Sequence, residues 1–182
     1  TRLKYTHSWN RYRDWGSQYS DGERTDIDRQ DEGYASATLG WWVVPGLQMA
    51  VAQDVAYNRL NNNVYVNTNY DVPQPSRWTS ISALALRGQW RGLKVNGNLA
   101  YTYAAEHVAV GDKPADKHRL TPSLGVSYRL LPSTPLYIRA MYKQAFRVPT
   151  FNDLYYRRLG NIHLRPETAR QWSVGLTWST HA

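Results

Sequence analysis

The chain contains no cysteine, which excludes a disulfide framework and any thiolate metal site. Phenylalanine and methionine are nearly missing as well, with two of each in 182 residues. No long hydrophobic run exists. The best, Trp41 to Leu47, is interrupted by Pro45 and Gly46 and falls far short of the roughly 18 apolar residues of a membrane-crossing helix. A signal-peptide pattern is absent too. Thr1-Arg-Leu-Lys-Tyr already alternates like a strand, so the chain is expected to be an interior piece of a longer protein or a mature form. The histidines, at 7, 107, 118, 163 and 181, lack metal-ligand spacing, and there is no Gly-rich phosphate loop. None of these absences excludes a membrane β-barrel, whose strands carry a weak hydropathy signal.

What is present is tyrosine and tryptophan, 14 and 8 residues, with a net charge of +8. These side chains suit surfaces that are apolar at one end and wet at the other. Eight segments alternate with period two, the signature of half-covered strands. Clear examples are Leu93, Val95, Leu99, Tyr101 and Tyr103 against Lys94, Asn96, Asn98 and Thr102, and Trp172, Val174, Leu176 and Trp178 against Gln171, Ser173, Thr177 and Ser179. No helical period of useful length competes.

Connections alternate between long and short. Polar segments at Asp14–Gly33, Asn61–Pro75, Glu106–His118 and after Phe146 read as long loops. Pro45-Gly46, Arg91-Gly92 and Pro132-Ser133-Thr134 read as tight turns. Transmembrane barrels have short periplasmic turns and longer extracellular loops, so strand one should rise from the periplasm and strand eight return to it. On that assignment Tyr57, Trp78, Tyr101, Tyr103, Tyr142, Phe146 and Trp172 form an outer aromatic belt. Trp41, Trp90, Tyr128 and Trp178 form an inner one. About ten residues per strand would cross an apolar band ~25 Å tall at a ~40° tilt. The expected fold is therefore all-β: one domain over residues 1–182, an antiparallel transmembrane β-barrel with about eight strands. Lys4, Arg87, Lys94, Arg129, Arg139 and Lys143 share the polar face. An Arg or Lys on the lipid face would cost roughly 2–4 kcal/mol at mid-depth, so they should line the lumen. Of the 14 acidic residues only Asp54 falls well inside a predicted strand, so the lumen should be basic. A partner inside it, or plain counterions in water, would neutralise it.

The stretch from Ala145 to Trp178 is the most specific. It carries Phe146, Arg147, Pro149, Thr150, Asn152, Leu154 and Tyr155, then Gly160, Asn161, Leu164, Pro166 and Glu167, between two strands. In this it resembles the TonB-dependent outer-membrane receptors, which join late barrel strands by F-R-x-P-T-x-N-x-L-Y and G-N-x-x-L-x-P-E. Ile162 and His163 depart slightly from that pattern. The resemblance is sharp over about 35 residues. It implies a sector of a barrel of about 22 strands in the bacterial outer membrane, a missing N-terminal plug domain, and a periplasmic TonB protein as the energy-coupling partner. It implies active uptake of a scarce nutrient such as a ferric siderophore, haem or cobalamin. It implies no enzymatic activity, cofactor or resident metal. The pattern of strands alone leaves a small closed eight-stranded barrel, or a passive porin-like or structural barrel, as the alternative.

Candidate binding chemistry is thin. Arg147, Tyr155, Tyr156, Arg157 and Arg158 could contact an anionic or aromatic ligand at the outer mouth, whereas Pro149, Asn161, Pro166 and Glu167 read as structural and Leu154 and Tyr155 could fold inward to pack. Asp26, Asp28, Asp31 and Glu32 cluster in the first long segment. They lack the spacing and glycine of a calcium loop, so a solvated loop is the better reading. Glu106, His107 and His118 flank one outer loop without a nucleophile or oriented base. The cationic side chains are scattered over all the strands rather than gathered on one patch, which argues against nucleic acid.

Overall fold

The computed structural model describes residues 1–18, 22–62, 73–156 and 160–179. Eight strands follow in order: β1 (Arg2–Trp15), β2 (Glu23–Val44), β3 (Leu47–Asn62), β4 (Ser76–Trp90), β5 (Leu93–His107), β6 (Lys117–Arg129), β7 (Leu136–Arg147) and β8 (Glu167–Trp178). One short helix, α1 (Phe151–Tyr155), lies between β7 and β8. The strands form a single antiparallel meander in chain order, β1 to β8. The two end strands are not paired with each other, so the sheet is an open sector and not a small closed barrel.

Turn chemistry fixes the short end. Gly46 has φ +86° between β2 and β3, and a Cβ there would meet the Gln89 carbonyl oxygen at 2.5 Å. Glycine supplies both the left-handed backbone and the room. The Gln89 N–H donates to the Gly46 carbonyl at 2.7 Å, tying this turn to the next strand.

One face carries the predicted apolar stripe. Cross-strand pairs such as Leu39↔Val51, Val51↔Leu84, Leu84↔Leu99 and Val126↔Ala140 keep it in register from strand to strand. Yet the described residues contain almost no core: apart from three prolines, Pro75, Pro114 and Pro149, only Ala104 and Leu154 are buried apolar residues. Leu124 is 48%, Val174 78% and Leu176 68% exposed to solvent. A soluble sandwich would bury such residues against a second layer; here the stripe faces outward. Aromatics sit at both its edges, with Tyr57 on Trp78 (ring centroids 4.8 Å apart) and Tyr142 on Trp172 (4.3 Å) at the outer end. Lys4, Arg87, Lys94, Arg129, Arg139 and Lys143 share the opposite face by register.

The first long segment corrects the sequence reading. Asp14–Gly33 is not a loop: β1 and β2 continue as a paired ribbon to Trp15↔Glu23. Asp26, Asp28, Asp31 and Glu32 are strand residues. By parity the first, second and fourth lie on the polar face and Asp31 on the other, so they do not converge on a cation. The polar face is also less one-sided in charge than expected, because Asp26, Asp28, Glu32 and Glu106 join Asp54 on it. No helix among the described residues is long and apolar enough to cross a membrane.

Candidate functional site

The chain after β7 folds back over the polar face at the long-loop end. Thr150 caps α1. Its hydroxyl accepts from the Asp153 N–H at 3.2 Å, and the Asp153 carboxylate accepts from the Thr150 N–H at 2.7 Å. This reciprocal box satisfies two otherwise orphaned donors and holds the Asp153 carboxyl below its usual range. Leu154 points inward and is 3% exposed. The loop closes where the Asn161 N–H donates to the Asp153 carbonyl at 3.0 Å. Gly160 fits there because a Cβ would lie 2.6 Å from both the Leu154 oxygen and the Tyr156 nitrogen.

A buried ion pair fastens this loop to the wall. Arg77 on β4 and Glu106 on β5 are direct cross-strand partners. The Arg77 Nε donates to Glu106 Oε1 at 2.6 Å and a terminal nitrogen contacts the same oxygen. The other bonds reach the loop: Arg77 donates to the Pro149 carbonyl at 2.6 Å, and its guanidinium lies 4.9 Å from the centre of the Phe151 ring. Tyr155 donates from its hydroxyl to Glu106 Oε2 at 3.4 Å. Burial, and then the Glu106 carboxylate, hold the Tyr155 phenol above its ordinary range. Side-chain exposure is 1% for Glu106 and 12% for Arg77, so the pair is anchored rather than solvated.

Beside this anchor is a cavity of about 420 Å³. Asn10, Asp28, Gln30 and Asn62 come to it from β1, β2 and β3, and Phe151, Asn152, Tyr155 and Tyr156 from the motif loop. The Asn62 side-chain oxygen is buried with no hydrogen-bond partner among the described residues, an acceptor whose unmet bond costs free energy. Amides and phenol rings dominate the lining, with one carboxylate, and no described Arg or Lys lines it. Such a surface suits a ligand portion that offers hydrogen-bond donors and an apolar face.

The residues singled out in the sequence separate here. Tyr155 and Tyr156 line the cavity. Arg147 is instead at the end of β7, paired across to Glu167 at 3.5 Å with both side chains exposed. Arg157 and Arg158 lie outside the described residues. Glu106, His107 and His118 do not form a group: Glu106 is on the polar face, whereas His107 and His118 have the parity of the apolar stripe. Among the described residues no cluster of acidic or histidine side chains could hold a metal. Arg77, Asn10, Gln30 and Asn62 were not anticipated. Only Arg77 carries a signal, a positional one: it and Glu106 are equidistant from the Arg91-Gly92 turn and pair in the hairpin.

Residues 1–182 match the family described as TonB dependent receptor-like, beta-barrel. The chain is also similar to the vitamin B12 transporter BtuB of Vibrio vulnificus (strain YJ016), at 28% identity over 136 residues, which is 75% of this chain and 20% of that protein. The chain thus spans about a fifth of the length of the curated relative it matches.

Proposed function

Since the chain belongs to the β-barrel family of the TonB-dependent receptors, transporters and not enzymes, we propose that its parent protein captures a scarce nutrient at the cell surface and imports it actively across the bacterial outer membrane. An outer-membrane location is what the family implies. The outward apolar stripe between two aromatic belts supports it. The plug inside the lumen, and a periplasmic TonB protein drawing on the inner-membrane proton gradient, are the partners this reading requires. The basic wall residues Lys94, Arg129 and Arg139 are then counter-charges for acidic groups of the plug.

Among siderophore, haem and cobalamin, the cavity favours cobalamin. The observation that carries this is its lining: the amides of Asn10, Gln30, Asn62 and Asn152 and the carboxylate of Asp28 beside Tyr155 and Tyr156. Haem propionates or an anionic ferric chelate would meet the Asp28 carboxylate at that surface and be repelled by it. A corrinoid carries peripheral amides that can pair with the side-chain amides of the lining and an extended ring system for the tyrosines. Arg157 and Arg158, directly after Tyr156, remain candidate ligand contacts. The test is equilibrium binding of cyanocobalamin, haem and a ferric siderophore to the intact parent receptor. Cobalamin should bind tightest, and Asn62→Ala or Tyr156→Ala should each weaken it roughly tenfold, the size of one lost contact. Tight binding of an anionic ferric chelate, with cobalamin ignored, would refute the assignment.

A further inference from the structure

Phe151 and Tyr155 each face two ways. On one side both line the cavity. On the other, Phe151 meets the Arg77 guanidinium and Tyr155 the Glu106 carboxylate, and neither of these charged residues contributes to the lining. The two rings are four residues apart on α1, so they share one of its faces, with centroids 6.2 Å apart. A helix of five residues has no stability of its own, and Leu154 is its one buried residue. The wall behind the rings therefore decides where they stand.

That wall is a junction. The Glu106 N–H donates to the Asp116 carboxylate in the β5–β6 connection. The Ala109 N–H donates to the Pro73 carbonyl at 2.9 Å, next to Gln74 and Pro75 of the cavity lining. With Pro149 and Phe151 from the β7–β8 connection, three connections converge around one ion pair. The Arg77 guanidinium uses separate parts for its contacts: Nε on Glu106, a terminal nitrogen on the Pro149 carbonyl, and the group as a whole against the Phe151 ring. Lysine carries the same charge but has no planar fork to make these contacts together.

We propose that Arg77 and Glu106 are positioning residues of the capture site: without touching the cargo, they hold the Phe151 and Tyr155 rings where the cargo will need them. The proposal rests on the reading of the cavity as the capture site, not on which nutrient fills it. Rings fixed in advance need not be ordered at the moment of binding, and two freed rings would weaken capture roughly tenfold. Coupling of this kind runs both ways, so bound cargo should in turn slow hydrogen exchange at Arg77 and Glu106.

The test uses the intact parent receptor in lipid nanodiscs, with cyanocobalamin as the probe. It compares wild type with the double variant Arg77→Met, Glu106→Leu and with Arg77→Lys. In the double variant the loop should keep most of its protection from exchange, while cyanocobalamin binds about tenfold more weakly through faster release. A purely structural pair predicts that affinity returns with protection, and that outcome would overturn the proposal. Where the double variant loosens the loop, Arg77→Lys decides: it should lose roughly threefold or more, and wild-type affinity would count against the proposal. Glu167→Gln, which breaks the exposed pair with Arg147 at the other end of the loop, should bind as wild type; an equal loss there would also count against it. Spin labels at Asn152→Cys and Arg29→Cys read the loop position without any cargo. Their distance distribution should be narrow in wild type and broad or shifted in both variants. If cyanocobalamin does not bind the wild type, the nutrient assignment fails. An unchanged distribution in the variants would overturn the positioning role separately.

Discussion

Removing the Arg77 guanidinium would strand the Glu106 carboxylate, which has 1% side-chain exposure, and would free the Pro149 carbonyl at the same stroke. Breaking a buried pair from one side typically costs about 3–5 kcal/mol, whereas replacing both partners by apolar groups of similar volume is often neutral. Arg77→Ala should therefore loosen the motif loop, read as hydrogen exchange at Thr150–Tyr155, by about that amount. The double variant Arg77→Met, Glu106→Leu should recover much of it. Equal loosening in both would mean that the contacts to Pro149 and Phe151 matter more than the charge. The contrast with Arg147–Glu167 is instructive: that pair is well exposed, so it contributes little.

At the scale of elements, α1 has a pH signature. Asp153 is held below its ordinary pKa by the Thr150 N–H and hydroxyl. A carboxyl depressed on folding stabilises above its unfolded pKa, and that stabilisation is lost as pH falls through the lower, folded value. The protection of the loop amides relative to the unfolded chain should stay flat from neutrality to about pH 4, then fall below it, and Asp153→Asn should abolish the step. The strands tell how far the sequence can be read. From Leu93 to Tyr103 one face meets an apolar medium and the other a wet one, so polarity alternates and the strand is legible. Beyond the belt both faces of β1 and β2 meet water or head groups; the alternation stops although the pairing does not, and residues 14–33 read as a loop. The motif loop was legible in its prolines and Gly160, whose roles are local. Its cavity was not, because Asn10, Gln30 and Asn62 are ordinary polar residues until three strands bring them side by side.

The whole molecule is a wall one layer thick, and the medium on either side distinguishes its two faces. Val174→Arg, near the middle of β8 between Trp172 and Trp178, should cost roughly 2–4 kcal/mol of folding stability in lipid. Ser173→Arg, one residue away on the polar face, should cost little; reversible denaturation of the parent receptor in bilayers measures both, and equal penalties would contradict the assignment of faces. The open edges β1 and β8 fit a piece that continues into further wall on both sides. The near-absence of a packed interior has a further consequence. In a globular domain a substitution propagates through crowded neighbours, and distant changes become entangled. Here each side chain answers to a few cross-strand neighbours and to the solvent it faces, so changes on separate strands should combine by simple addition. Such a scaffold can exchange its rim for a new cargo while leaving the staves untouched.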